Sequence, residues 1–223
     1  MAFAHRLYIF HPNSGKLSVN GLGRRGLTTA RLHRCLIWKG KHAVLQNIFT
    51  LIIETIASVL GGVLLLRFWI QAVRVRPPQQ LAQFIFTLSD WAVRPLRRLL
   101  PGVGGYDWAS LIGAALVAVI CILLELGVRS ALNASLIFSL SALLFFQWVF
   151  YGLIALLIIE AIFSWVNPNA PLAPFVRALN EPLLRPLRRI IPLIGNIDLS
   201  PLAALILLRV VHQLVIYLIT SVA

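Results

Sequence analysis

The sequence predicts an all-α membrane protein, with four transmembrane helices arranged as two parallel helix-hairpin repeats and amphipathic interfacial segments. Three observations predict this class. The 223-residue chain is 59% hydrophobic and 12% charged, with a mean hydropathy of +0.87, a composition unlike that of soluble domains. Four apolar stretches are each long enough to cross about 30 Å of hydrocarbon. A twelve-residue phrase occurs twice, each time between two of these stretches.

The four predicted spans lie near residues 48–72, 108–128, 142–166 and 199–221. Each helix of a soluble bundle needs a polar face that is exposed to water. The run 139–166 holds only Gln147 and Glu160 as strongly polar residues, so it has no such face. The pattern therefore favours membrane helices over a soluble bundle.

The net charge of +13 would by itself suggest nucleic-acid binding, but its distribution argues against that class. Residues 1–43 carry eight Lys and Arg and no acidic residue, whereas the rest carries twelve Arg, no Lys and seven acidic residues. Most of those arginines cluster next to the predicted spans, where anionic headgroups attract them. We therefore expect anionic membrane lipids as partners and no nucleic acid.

Residues 1–43 form a basic tail that we expect to lie outside the fold. The tail lacks the sustained apolar run of a secretory signal peptide. It is either an organellar transit peptide or the product of a misassigned upstream start, with the true start near Val44. The remaining chain divides into one repeat over 44–129 and a second over 130–223.

The repeated phrase begins at Asp90 and returns at Glu181, 91 positions later, with six of twelve residues identical. A repeat of this length indicates two copies of one structural unit. Each copy is a membrane-seated connector or a platform that docks a partner protein or anionic lipids. The residues expected to make such contacts are Arg94, Pro95, Arg97, Arg98, Arg185, Pro186, Arg188 and Arg189.

The arginine-rich loops 73–107 and 167–198 are separated by two crossings, so they share one side of the membrane. Arginine excess assigns that side to the cytoplasm, which leaves the C-terminus external. Each unit then contains an even number of crossings, so the two repeats are parallel. This orientation would carry the basic tail 1–43 across the membrane, which favours a misassigned start.

An amphipathic segment precedes each copy of the phrase, over 77–91 and 171–180. Because proline interrupts helices, Pro182 and Pro186 predict two short helical pieces with a bend between them. Asp107 and Asp198 stand just before the second span of each unit. We expect them to cap those helices, with ion coordination as the alternative.

Several ionisable residues fall within the spans, where burial is costly. Arg67 and Glu160 lie near the span ends, where contact with headgroups would suffice. Arg209 lies near the middle of the fourth span, with His212 on its face by helical spacing. A partner such as Glu160, or a wet cavity, would lower the cost of burying Arg209.

The sequence lacks signs of catalysis. His212 is the only histidine after residue 43, and no His-Glu-x-x-His, Gly-x-Ser-x-Gly or glycine-rich phosphate loop occurs. We therefore expect no enzyme activity, no metal and no cofactor.

The sequence resembles the YggT (YlmG) family, in its proteobacterial two-repeat form, in four segments. They are Leu-Leu-Leu-Arg67-Phe-Trp-Ile-Gln, the paired Arg-Pro-Leu-Arg-Arg phrases, the Gly-x-x-Asp after each, and Ile-Phe-Ser-Trp-Val over 162–166. The likeness covers about 44–223. It implies a multi-pass protein of the bacterial inner membrane without known enzymatic activity. Family members are linked to osmotic tolerance and potassium uptake, to cell division, and to cytochrome haem maturation.

Our leading hypothesis is a non-enzymatic assembly or scaffold factor that acts through its arginine-rich cytoplasmic loops on an unknown protein partner. The alternative is a component that supports potassium uptake or osmotic-stress tolerance, with Arg209 and Glu160 near the ion path. The third is a cytochrome or haem maturation factor, with His212 as the candidate ligand. A bundle of only four membrane helices also favours a homo-oligomer.

Overall fold

The computed structural model describes residues 28–99, 106–128, 133–167, 169–190 and 198–222, with most side chains from Val44 onward. The chain divides into two compact units, Met1–Val44 and Leu45–Ala223. The basic tail 1–43 lies outside the described side chains. The helices are α1 (Thr28–Val73), α2 (Gln79–Leu99), α3 (Trp108–Val128), α4 (Ala134–Val166), α5 (Ala173–Arg188) and α6 (Ser200–Val222).

Four of these helices are long and apolar enough to cross a membrane, which confirms the predicted all-α, four-span fold. The candidate spans are Val44–Val73, Trp108–Gly127, Ala134–Val166 and Ser200–Ser221. The third begins eight residues earlier than predicted. The Asn133 side chain caps α4 by accepting a hydrogen bond from the Ser135 backbone N–H. The hydroxyl of Ser139 bonds back to the Ser135 carbonyl, so this polar start stays helical.

The amphipathic segments are the helices α2 and α5. The prediction of a bend in the second was wrong, because α5 is one helix that contains both Pro182 and Pro186. The two prolines stand four residues apart, and both are exposed. Leu179 and Leu184 of the same helix are completely buried. Burying these two side chains favours one continuous helix over two short pieces.

Within the compact unit Leu45–Ala223, helix α4 packs against α3, α5 and α6. At the seam between the two repeats, Trp148 of α4 packs on Ala57 of α1 and on Ala118 and Cys121 of α3. A Cβ atom added to Gly61 of α1 would lie 2.3 Å from two carbons of the Trp148 ring. The close contact between the repeats therefore requires glycine at this position.

Candidate functional site

Each repeat contains a cluster of charged side chains where its amphipathic helix meets its two spans. The first-repeat cluster comprises Arg67, Asp90, Arg97 and Asp107. The second-repeat cluster comprises Glu160, Glu181, Arg188 and Asp198. Three members of each correspond across the 91-residue offset. The fourth pair is Arg67 and Glu160, which follow Leu-Leu and Ile-Ile on α1 and α4.

In the first-repeat cluster, the buried Arg67 joins three helices. Its Nη1 donates hydrogen bonds to Ser89 Oγ at 2.6 Å and to Asp90 Oδ1 at 2.8 Å, both on α2. Its Nε lies 3.3 Å from Asp107 Oδ2, directly before α3. Only 4% of Arg67 is exposed, and the Phe86 ring lies 4.7 Å from the guanidinium. The expectation that headgroup contact suffices for Arg67 was therefore wrong, since the protein itself supplies its partners.

Asp107 is the buried acceptor of the same cluster. It accepts hydrogen bonds from Arg97 Nη2 and from Ser110 Oγ, each at 2.7 Å. Burial acts to raise the pKa of Asp107, but these hydrogen bonds and the charges of Arg97 and Arg67 hold its pKa below the ordinary value. The Asp107 backbone carbonyl also accepts the first hydrogen bonds of α3. For Asp90, chiefly the hydrogen bond from Arg67 lowers the pKa.

In the second-repeat cluster, Arg188 is shared by three carboxylates from three places in the chain. Its Nη2 donates to Glu160 Oε1 at 2.8 Å, its Nη1 to Glu181 Oε2 at 3.2 Å, and its Nε to Asp198 Oδ2 at 2.9 Å. Although burial opposes it, the hydrogen bond with Asp198 and the charge of Glu160 raise the pKa of Arg188. The other Asp198 oxygen accepts from the backbone N–H of Ser200, in the first turn of α6.

The two clusters differ in net charge. The first holds two arginines and two aspartates, whereas the second holds one arginine and three carboxylates. In the second, Glu160 is 4% exposed and its Oε2 has no hydrogen-bond partner among the described residues. Asn180 is fully buried beside it and donates to the Leu156 carbonyl at 2.9 Å. Sequence reasoning missed both clusters, although an ionisable residue at the end of each preceding span, 23 and 21 residues before the acidic start of the phrase, was a usable signal.

The arginines predicted to contact lipid or a partner divide into two groups. Arg97 and Arg188 point toward the acidic residues of their clusters, with Arg188 the more enclosed of the two. The others are exposed along α2 and α5, together with Pro95 and Pro186. Among the exposed arginines, the structure pairs Arg94 with Asp90, its neighbour one turn back at 3.1 Å. The exposed arginines are Arg94, Arg98, Arg185 and, at the C-cap of α5, Arg189.

The suggested pairing of Arg209 with Glu160 was wrong, because Glu160 pairs with Arg188. Arg209 lies on an exposed face of α6, and its Cζ is 6.0 Å from the centre of the Tyr151 ring. His212 is buried, with its ring 4.9 Å from that of Phe150. Within the part of the chain that the structure describes, no group of three His, Cys, Asp or Glu residues is placed to hold a metal ion.

The comparisons with known proteins follow the same twofold pattern. The family model CCB3/YggT matches residues 46–128 and, a second time, residues 139–219. The chain belongs to the CCB3/YggT family. Each of the two matched stretches contains one complete charged cluster, so the clusters belong to the part of the chain that the family defines.

Three relatives align with this chain over most of their own length. An uncharacterised protein of Pseudomonas aeruginosa is 38% identical over 74% of this chain and 86% of its own. The uncharacterised protein in the proC 3′ region of Vibrio alginolyticus is 33% identical over 72% and 89%. The uncharacterised protein YggT of Escherichia coli K12 is 31% identical over 75% and 89%. No solved structure matches the chain.

Proposed function

We propose that this CCB3/YggT-family membrane protein is a non-enzymatic assembly or scaffold factor of the bacterial inner membrane. In this proposal α2 and α5 are docking platforms on the cytoplasmic side. One observation carries it: each repeated phrase turns one arginine inward onto acidic residues and leaves its flanking arginines exposed beside it. A connector that only seats the chain at the headgroups would need no inward ion pairs.

The inward contacts hold both platforms against the spans. Arg67 and Arg97 tie α2 to α1 and α3, and Arg188 ties α5 to α4 and α6. The Trp69 Nε1 of α1 also donates to the Leu179 carbonyl of α5 at 3.0 Å. A surface held this way loses little conformational entropy when it binds, which favours recognition of a partner.

The exposed arginines supply the charge for docking. Arg94 and Arg98 stand one helical turn apart on α2, and Arg185 and Arg189 have the same spacing at the end of α5. Each arginine near an anionic surface contributes about 1 kcal/mol. The proposed target is an acidic surface of a protein partner, approached along an anionic membrane. The excess of arginine in both loops supports the cytoplasmic orientation, with the C-terminus external.

The test reverses two exposed platform charges, Arg98→Glu with Arg189→Glu. The matched control reverses Arg74 and Arg76, which are exposed in the same loop as α2 but precede it. We measure partner recovery by crosslinking and mass spectrometry in native membranes. We expect recovery to fall roughly tenfold or more for the platform variant, since two favourable charges become repulsive. The control should leave recovery unchanged.

Equal recovery from the platform variant, the control and the wild-type protein would contradict the proposal. Reporter fusions after residues 110 and 195 should read cytoplasmic in all three, which excludes inversion of the topology as the cause. Among the described residues, the alternatives of potassium uptake and haem maturation have no contact that favours them. Glu160 is held by Arg188 rather than by Arg209, and His212 packs against aromatic rings.

A further inference from the structure

Two oppositely charged residues face outward from the spans of this chain. Glu54 lies on an exposed face of α1, and Arg209 lies on an exposed face of α6. In the described ranges neither takes part in an ion pair. Arg209 has the face of the Tyr151 ring as a neighbour, at 6.0 Å. Both residues therefore present a charge to the surroundings of the helices, where lipid offers no counterion.

Glu54 and Arg209 lie at similar depths in the membrane. Glu54 precedes Arg67 by thirteen residues, and Arg209 follows Asp198 by eleven. At about 1.5 Å per residue, these are about 20 Å and about 17 Å along their helices. Arg67 and Asp198 belong to the two clusters, which share one side because two crossings separate the loops. The long arginine side chain spans the remaining difference of about 3 Å.

Each charge stands on a surface that another helix could approach. On α1, Ser58 and Gly62 follow Glu54 at four-residue steps, and a Cβ atom added to Gly62 would meet nothing within 4 Å. Small residues of this kind allow close approach of membrane helices. On α6, Ile206 and Gln213 flank Arg209 on its exposed face. The two surfaces are complementary in charge. The α1 surface carries small side chains, whereas the α6 surface carries larger ones.

We propose that a second copy of this chain docks on these surfaces, with Arg209 of one copy forming an intramembrane ion pair with Glu54 of the other. An unpaired charge within hydrocarbon is costly, and a pair of opposite charges at one depth lowers that cost for both residues. A second copy fits because the chain carries both members of the pair on outward faces. This inference does not depend on the proposed docking function of α2 and α5.

The experiment reverses the charges in differently tagged copies that are expressed together and recovered in lipid nanodiscs. With Glu54→Arg in both copies, or Arg209→Glu in both, every junction joins like charges. We expect copurification of the two tags to fall about tenfold or more. When one tag carries Glu54→Arg and the other Arg209→Glu, like charges meet only between copies of the same variant, whereas both junctions between the two variants join opposite charges. Copurification of the mixed pair should therefore exceed that of either single reversal by about fivefold.

This mixed arrangement distinguishes contact between copies from contact within one chain, since a pair inside one chain would not be rescued by a second copy. Matched control variants place the same charges at neighbouring exposed positions, Thr55→Arg with Val210→Glu. Because these variants keep Glu54 and Arg209, each should copurify about as well as the wild type, and mixing them should bring no gain. The melting temperature of each variant in nanodiscs reports whether it folds. The proposal is overturned if the single reversals copurify like the wild type, if the mixed pair fails to recover while both variants fold, or if the wild-type tags never copurify.

Discussion

The charged clusters of the two repeats occupy equivalent places but distribute their charges differently. In the first, Arg67 on the span brings a second positive charge, and the inward Arg97 pairs with Asp107 while staying 46% exposed. In the second, Glu160 occupies that place, and Arg188 alone holds three carboxylates at 29% exposure. The amphipathic helix can therefore be held by a residue of either charge at the end of the preceding span. The first cluster divides its positive charge between two arginines, whereas the second depends on Arg188 alone.

The largest expected effect follows from removing Arg188. Arg188→Leu leaves the buried Glu160 without a counterion and beside two further carboxylates, which should lower the free energy of unfolding by about 3 kcal/mol. The equivalent Arg97→Leu should cost about 1 kcal/mol or less, because Asp107 keeps Arg67 and Ser110. Unfolding by SDS in mixed micelles measures both.

Equal losses for these two variants would show that the clusters share their charges in the same way. The double variant Arg188→Leu with Glu160→Gln sharpens the result. It removes the uncompensated buried charge, so it should recover part of the stability that Arg188→Leu loses.

The next effect compares the span positions themselves. Arg67→Gln removes the cation that contacts both Asp90 and Asp107, and should cost about 2–3 kcal/mol. Glu160→Gln reduces an acidic excess and keeps an acceptor for Arg188, so it should change stability by less than about 1 kcal/mol. The same SDS titration measures the pair. A larger loss of stability for Glu160→Gln than for Arg67→Gln would contradict the larger contribution that we assign to Arg67.

The seam between the repeats provides an uncharged reference for these values. Gly61→Ala places a methyl group against the Trp148 ring and should cost about 1–3 kcal/mol by overpacking. Gly62→Ala, one residue along, meets open space and should be neutral or stabilise the helix by up to about 1 kcal/mol. If both substitutions are neutral in the SDS titration, the seam is looser than the structure indicates.

The smallest effect is a dependence on pH in the first repeat. Because the folded pKa of Asp107 is lowered, its ion pairs contribute stability above the unfolded value near 3.9, and the contribution is lost as the pH falls through the folded pKa. Asp107→Asn should therefore cost about 1 kcal/mol at pH 7 and progressively less below about pH 4. Melting temperatures from pH 7 to pH 3 measure this. A constant difference between the two proteins would contradict the assignment.

Hydropathy and the repeat were enough to predict the number of spans, their approximate bounds and the two amphipathic segments. These properties depend on local composition, since about 20 apolar residues suffice to cross the hydrocarbon wherever they stand in a chain. The bend at Pro182 and Pro186 was predicted wrongly because the local cost of proline is outweighed by burying Leu179 and Leu184, which no local pattern reports.

The choice of inward arginine could not be read from the phrase. Arg97 and Arg98 are neighbours in the sequence but stand about 100° apart around α2, and the structure pairs the first with Asp107. For the same reason, helical spacing placed Arg209 near His212 but did not reveal that Glu160 already belongs to Arg188. Composition and periodicity determine that this chain is a duplicated membrane fold, because transfer into lipid depends on the residues of one segment at a time. The partners of the charges were decided only by the tertiary structure, because each pair joins helices whose relative rotation is set by packing.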